Sequence, residues 1–143
     1  MVTYNTIDVS MPAIDRQALT RWIGHVASGY GKKIGTVNYV FVDDREILRI
    51  NRQYVRHDYY TDHIGFDYTQ GNILSGDTYI SLDTVRTNAL KFGQSYQDEL
   101  HRVMIHSILH LCGMDDKTPA ERDAMHEAED QALALLHANQ DKQ

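Results

Sequence analysis

Residues 106–116, HSILHLCGMDD, set two histidines four positions apart in an apolar run and follow them with a glycine and two aspartates. A helix over 103–112 (VMIHSILHLC) would carry apolar side chains on nearly every side, so it is buried rather than laid on a surface. Imidazoles four apart on a helix point the same way, one turn apart, and buried ring nitrogens need partners. One ion reached by both rings at about 2.0–2.1 Å satisfies that need. Gly113 stops the helix and, with its access to positive φ, turns the chain sharply. The turn can bring Asp116, ten positions after His106, back to the same ion, with Asp115 as its neighbouring rival. Cys112 lies about 200° around the helix from His110 and reads as a small core residue rather than a soft ligand. Three protein ligands leave zinc an open position, the catalytic rather than the structural arrangement. A metal so held lowers the pKa of water or polarises a phosphoryl or carbonyl oxygen.

Two helical histidines first suggest a metalloprotease. There the motif is H-E-x-x-H, and the glutamate is the general base. Here that position is Ser107, which cannot take up a proton at neutral pH as a carboxylate does. The chemistry therefore points away from peptide hydrolysis.

The elements that must hold these groups follow from periodicity. Residues 2–7 (VTYNTI) are β-prone. Over 13–27, Ile14, Leu19, Trp22, Ile23 and Val26 recur at helical spacing, with Pro12 near the start and glycines after the end. Residues 36–42 (TVNYVFV) read as a strand, and Asp43 or Asp44 caps a helix bearing Ile47, Leu48, Ile50 and Tyr54. Residues 63–68 and 78–82 read as antiparallel strands joined by the loop QGNILSGD. A helix from 82 or 83 to 92 ends at Gly93; Ser95 caps the histidine helix, which runs to Cys112. TPAE at 118–121 is a capping box that opens a last helix reaching about His137. Strands first and helices later predict an α+β fold: a single domain over 1–143, with a small mixed sheet of about four strands packed against about five helices and the metal-binding helix central.

Composition sets bounds on function. With 143 residues, 42% hydrophobic and 24% charged, the chain can bury one core, and the tail from about 138 is expected to fray. A single cysteine excludes an internal disulfide and suits a reducing cytoplasm. The first residues lack the basic start and apolar core of a secretory signal, and no apolar run approaches the ~18 residues of a membrane span. The net charge of −6 argues against coating the whole surface with nucleic acid, yet leaves room for a local basic groove.

Taken together, these strings resemble the YbeY family. Its motif H-G-x-L-H-L-x-G-x-D-H stands here as HSILHLCGMDD from His106 to Asp116. NRQYVRHDYYTDHIGF, from Asn51 to Phe66, resembles its L-N-x-x-Y-R-x-x-D-x-P-T-D-V-L-S-F segment, and SGDTYIS resembles its G-D-I-x-I-S. Glu99 and Leu100 before the histidines, and Met125 and Glu129 after them, also fit, so the resemblance runs from about residue 34 to residue 136. It implies a single-domain, zinc-binding endoribonuclease of the bacterial cytoplasm with an α+β fold. Such an enzyme would act in maturation of the small-subunit ribosomal RNA 3′ end and in ribosome quality control. It also implies one zinc ion per chain (another divalent metal being the alternative), single-stranded ribosomal RNA as substrate, and the ribosome or small-subunit proteins as partners.

Carried over position by position, the resemblance makes His106, His110 and Asp116 the metal ligands. Arg56, one position after the family arginine near the metal, is the expected catalytic side chain, its guanidinium holding the scissile phosphate in bidentate fashion. Arg52, one helical turn earlier, and His57 complete an expected RNA-binding set with Arg56. Thr61, Asp62 and Asp77 match family positions with structural roles: a turn, a cap or a hydrogen bond to a histidine. His25, His101, His126 and His137 read as surface or packing residues. Three departures stand out. Ser107 replaces a glycine. Asp116 replaces the third ligand histidine; a carboxylate still suits zinc, lowers the site's charge and shifts preference toward harder metals. His63 stands where an apolar residue is usual and reads as a structural replacement. No general base is visible, so attack by water and attack by the RNA's own 2′-hydroxyl both stay open. Two other functions compete: a ribosome assembly factor with a structural metal, and a metal-dependent hydrolase of another substrate.

Overall fold

The first strand, β1 (Val2–Thr6), pairs in parallel with β2 (Lys33–Val42), and the chain crosses between them through α1 (Arg16–Gly29). This computed structural model describes residues 1–55 and 61–141. Asp15 caps α1 by accepting a hydrogen bond from the Ala18 amide, and Leu19, Trp22, Ile23, Val26 and Ala27 form its buried face. Pro12 stands four residues ahead of Arg16 rather than inside the first turn, because an aspartate supplies the cap. After β2 comes α2 (Asp44–Ile50), capped by Asp43 and prolonged by a π-helical turn over Asn51–Val55.

The next two strands, β3 (His63–Asp67) and β4 (Ile73–Ser81), are antiparallel neighbours, as their spacing predicts. β4 begins at Ile73, five residues before its expected start at 78, and takes in most of the supposed loop. The glycine in that stretch is there for close approach, not for a turn. A β-carbon on Gly76 would stand 2.5 Å from the Phe66 carbonyl oxygen on β3. The turn itself shrinks to the residues around Gly71, which has a φ of 59°.

Three helices complete the chain: α3 (Leu82–Phe92), α4 (Tyr96–Leu111) and α5 (Pro119–Asp141). Ser81 and Ser95 cap α3 and α4. Gly93 and Gly113 follow these helices with φ of 65° and 103°. Thr118 and Glu121 form the expected reciprocal capping box at 3.0 and 3.1 Å. α5 passes the expected end at His137 and reaches Asp141, since neither glycine nor proline follows to stop it.

The sheet order is β1-β2-β4-β3, with β3 antiparallel to β4 and the other two pairs parallel. Alternation gives the sheet two faces. Val37, Tyr39, Phe41, Leu74 and Ile80 join the large core under α1, α3, α4 and α5. Val42 and Ile64, with Val40, Phe66 and Tyr79 beside them, pack under Ile47 and Ile50 of α2. A row of Thr3, Asn38 and Asp77 runs across the strands, bonded at 2.6 and 2.8 Å, which gives Asp77 a structural place. α4 is the central helix and packs on α1, α3, α5, β3 and β4. The α+β expectation, with a mixed four-stranded sheet and five α-helices, therefore holds. No described helix is long and apolar enough to cross a membrane.

Candidate metal centre

α4 buries Leu100, Val103, Met104, Ile105, Ile108 and Leu109, and a polar stripe runs along one side of it. The stripe is Glu99, Arg102, His106 and His110, spaced three or four residues apart and so on one side of the helix. The two histidine rings stand 4.5 Å apart, centroid to centroid, at the end of α4. Just beyond it, Gly113 turns the chain and Asp116 comes back. Its Oδ2 lies 3.2 Å from His110 Nε2 and 3.3 Å from His106 Nε2. The expected meeting of His106, His110 and Asp116 therefore occurs.

A third imidazole joins them. His63, the first residue of β3, stands 4.9 Å from the His106 ring. One ring nitrogen from each of His63, His106 and His110 lies within 4.8 Å of the others, which suits a single ion. Three imidazoles and a carboxylate are the donors that zinc and similar divalent cations take. The residues present thus fit a metal ion.

Behind the rings stand further carboxylates. Glu129, buried on α5, accepts a hydrogen bond from His106 Nδ1 at 2.6 Å. Its other oxygen accepts from Arg102 at 2.9 Å, and Arg102 also binds Asp130 at 2.7 Å. Asp62 Oδ1 is 2.7 Å from His63 Nδ1, the kind of bond to a histidine expected of that position. Thr61 makes a turn contact to the His63 carbonyl. Burial opposes protonation of His106, but the bond and charge of Glu129, aided by Asp116 and Asp62, outweigh it and hold its pKa above the usual value. Burial likewise pushes Asp62 up, and the bond from His63 with the charges of His63 and His106 brings it below the usual carboxylate value. Glu99 is raised, chiefly by burial and against the pull of Arg102.

Beside the histidines is a cleft of about 240 Å³, lined by His63, Gly65, Thr78, Ser107, His110 and Leu111. Ser107 donates its hydroxyl to the Met104 carbonyl at 2.8 Å, so it is occupied within the helix. Arg56 and His57 lie outside the described residues. Arg52 is exposed on the π-helical turn and shares an open groove with Arg45 and Arg49 of α2. His25 is exposed, His126 and His137 are exposed within ion pairs, and His101 is buried against Trp22, all in keeping with surface or packing roles. Cys112 is half-buried against the core.

The sequence reading missed two members of this arrangement. Arg102 carries a usable signal, a cation one turn before His106 in an apolar helix. His63 carries only its departure from an apolar position: nothing local shows that the edge strand starts beside α4.

A mixed four-stranded sheet whose central helix ends in carboxylate-backed imidazoles defines a small α+β metal-site domain. The same fold occurs in the solution structure of TM1509 from Thermotoga maritima, with a TM-score of 0.66 and 21% identity over 100% of this chain and 96% of that one. The Endoribonuclease YbeY family profile matches residues 5–137. Relatives called Endoribonuclease YbeY include one from Bacteroides thetaiotaomicron, 60% identical over 94% of this chain and 98% of its own length. Another, from Parabacteroides distasonis, is 56% identical over 94% of this chain and 95% of its own. The chain belongs to the YbeY endoribonuclease family, as its motifs imply.

Proposed function

We propose that this chain is a zinc-dependent endoribonuclease, active as one domain over 1–143, that cleaves single-stranded ribosomal RNA in the cytoplasm. Its work would be maturation of the small-subunit RNA 3′ end and ribosome quality control, on or beside the ribosome and its small-subunit proteins. One observation carries the reading: in a member of an endoribonuclease family, imidazoles and a carboxylate converge beside a cleft.

In this reading His106, His110 and Asp116 hold the ion. When bound, zinc supplies Lewis acidity toward a phosphoryl oxygen and makes water a better nucleophile near neutral pH. The chain's own groups do the rest. Glu129 keeps His106 in one tautomer by accepting from Nδ1. Arg56 grips the non-bridging oxygens of the scissile phosphate, while Arg52 and His57 guide the neighbouring backbone. A single strand is the expected substrate, because its unstacked bases can be splayed out and gripped. Ser107, bonded to Met104, is not the proton acceptor a peptidase would need.

The test is cleavage of a defined small-subunit RNA 3′-end fragment by zinc-loaded protein and by His110→Ala, purified in parallel and shown to be folded. Cleavage by the unmodified protein alone is expected. Equal cleavage by both would expose a contaminant. Cleavage by neither, even with ribosomal particles added, would leave the assembly-factor role instead. Arg56→Ala should lower the rate on the order of 100-fold with full zinc content; an unchanged rate would remove Arg56 from the mechanism.

A further inference from the structure

The structure assigns His63 to the metal centre as a third imidazole ligand, an inference that rests on the metal-centre reading above and deepens it. β3 alternates, so Ile64 and Phe66 pack toward α2 while His63 takes the opposite face, toward α4. The ring nitrogens of a histidine near the core are as a rule engaged by the fold, His101 Nδ1 being an exception. At His63 one is engaged: Nδ1 pairs with Asp62 at 2.7 Å, and among the described residues no hydrogen-bond partner stands on Nε2. That bond makes Nδ1 the protonated nitrogen and leaves the Nε2 lone pair for a cation. His106 repeats the pattern with Glu129 on its Nδ1. Two imidazoles from different elements thus share one tautomer, each set by a carboxylate, with their rings 4.9 Å apart. His110 completes a group whose ring nitrogens lie within 4.8 Å of one another.

Three neutral imidazoles make a complete catalytic zinc set without any carboxylate. Asp116, more exposed than His106 and carried on the loop after Gly113, is then an additional donor rather than the indispensable third one. The ion also fastens the edge strand β3 to the central helix.

The experiment compares zinc affinity, by competition with a chromogenic chelator, for the unmodified chain, His63→Leu and Asp116→Asn. Cobalt(II) absorption spectra of each serve as a second readout. His63→Leu should weaken zinc by about 100-fold or more and change the cobalt spectrum, while Asp116→Asn should cost less. Zinc affinity of His63→Leu within about threefold of the unmodified chain, with the same cobalt spectrum, would overturn the inference and leave the rest of the centre standing. No zinc uptake by the unmodified chain would overturn both readings. RNA cleavage enters neither readout, so its loss bears on the proposed function alone. Should His63→Leu fail to fold, long-range proton–nitrogen NMR of the unmodified chain decides. His63 Nε2 is expected to shift with those of His106 and His110 on adding zinc, and an unmoved His63 Nε2 overturns the assignment.

Discussion

An imidazole serves as a good ligand when its second nitrogen is held as a donor, and in the proposed centre Glu129 has that task at His106. Glu129 is itself held by Arg102, whose other bond is to Asp130 on the surface of α5. The chain of contacts runs from solvent to the metal centre through charged groups that are largely buried. Glu129→Ala should therefore weaken zinc by about 10- to 100-fold and strip Arg102 of its buried partner. Glu129→Gln, which can still accept a hydrogen bond, should lose less. Isothermal titration with zinc would check both, and equal affinity for Glu129→Ala and the unmodified chain would sink the idea. Arg102→Leu should lower stability by about 2 kcal/mol in urea, because it leaves Glu129 buried with one partner fewer. At this scale the sequence showed the groups on one helix well. The spacing of His106, His110 and Asp116 is a local property, so it could be read directly. Arg102 stands on that helix too and is legible by its spacing, but its bonds to Glu129 and Asp130, and the approach of His63, join distant segments, and residue spacing carries no record of those.

The elements matter here through how closely two of them pass. β3 and β4 approach so tightly at Gly76 that any side chain there would strike the Phe66 backbone. Gly76→Ala must therefore push β3 outward, and β3 carries His63 at its start. We expect a loss of about 2–3 kcal/mol in urea unfolding of the metal-free protein, together with weaker zinc binding. A loss below about 0.5 kcal/mol would show that the strands part without strain. The same residue explains where element reading failed. Gly76, with Ser75 and Asn72 nearby, carries the chemistry of a turn, and local propensity assigns it to a loop. Pairing on both sides, with β2 and β3, overrides that preference. The helix starts at Asp43, Ser95 and Thr118 were legible by contrast, because these residues cap their own next turn and need no distant partner.

At the scale of the whole molecule, α4 is asked to be both the centre of the core and one wall of the metal centre. The order of strands and helices sufficed to read an α+β fold, but the strand order and the choice of buried polar groups arise only on packing. His101 is such a group. It sits on α4 among buried residues, edge-on to Trp22 at 6.1 Å, with Nδ1 lacking any hydrogen-bond partner among the described residues. Burial lowers its pKa, opposed by Asp98 and reinforced by His137. The unfolded chain gains a proton on this residue near pH 6.5, the native chain only at lower pH. Stability from this group is therefore complete above the unfolded value and falls as pH drops toward the native one; below that, both states are protonated and the loss stops growing. His101→Leu removes the titration and the orphaned nitrogen together. At pH 7.5 it should lie within about 1 kcal/mol of the unmodified protein, since an unsatisfied buried polar atom is lost along with the ring. Between pH 7 and 5.5 its melting temperature should fall less steeply, so that the two curves diverge in favour of the variant. His106, whose pKa is shifted the other way, is present in both proteins and cancels in the comparison. Parallel melting curves across that range would assign the acid sensitivity to another group.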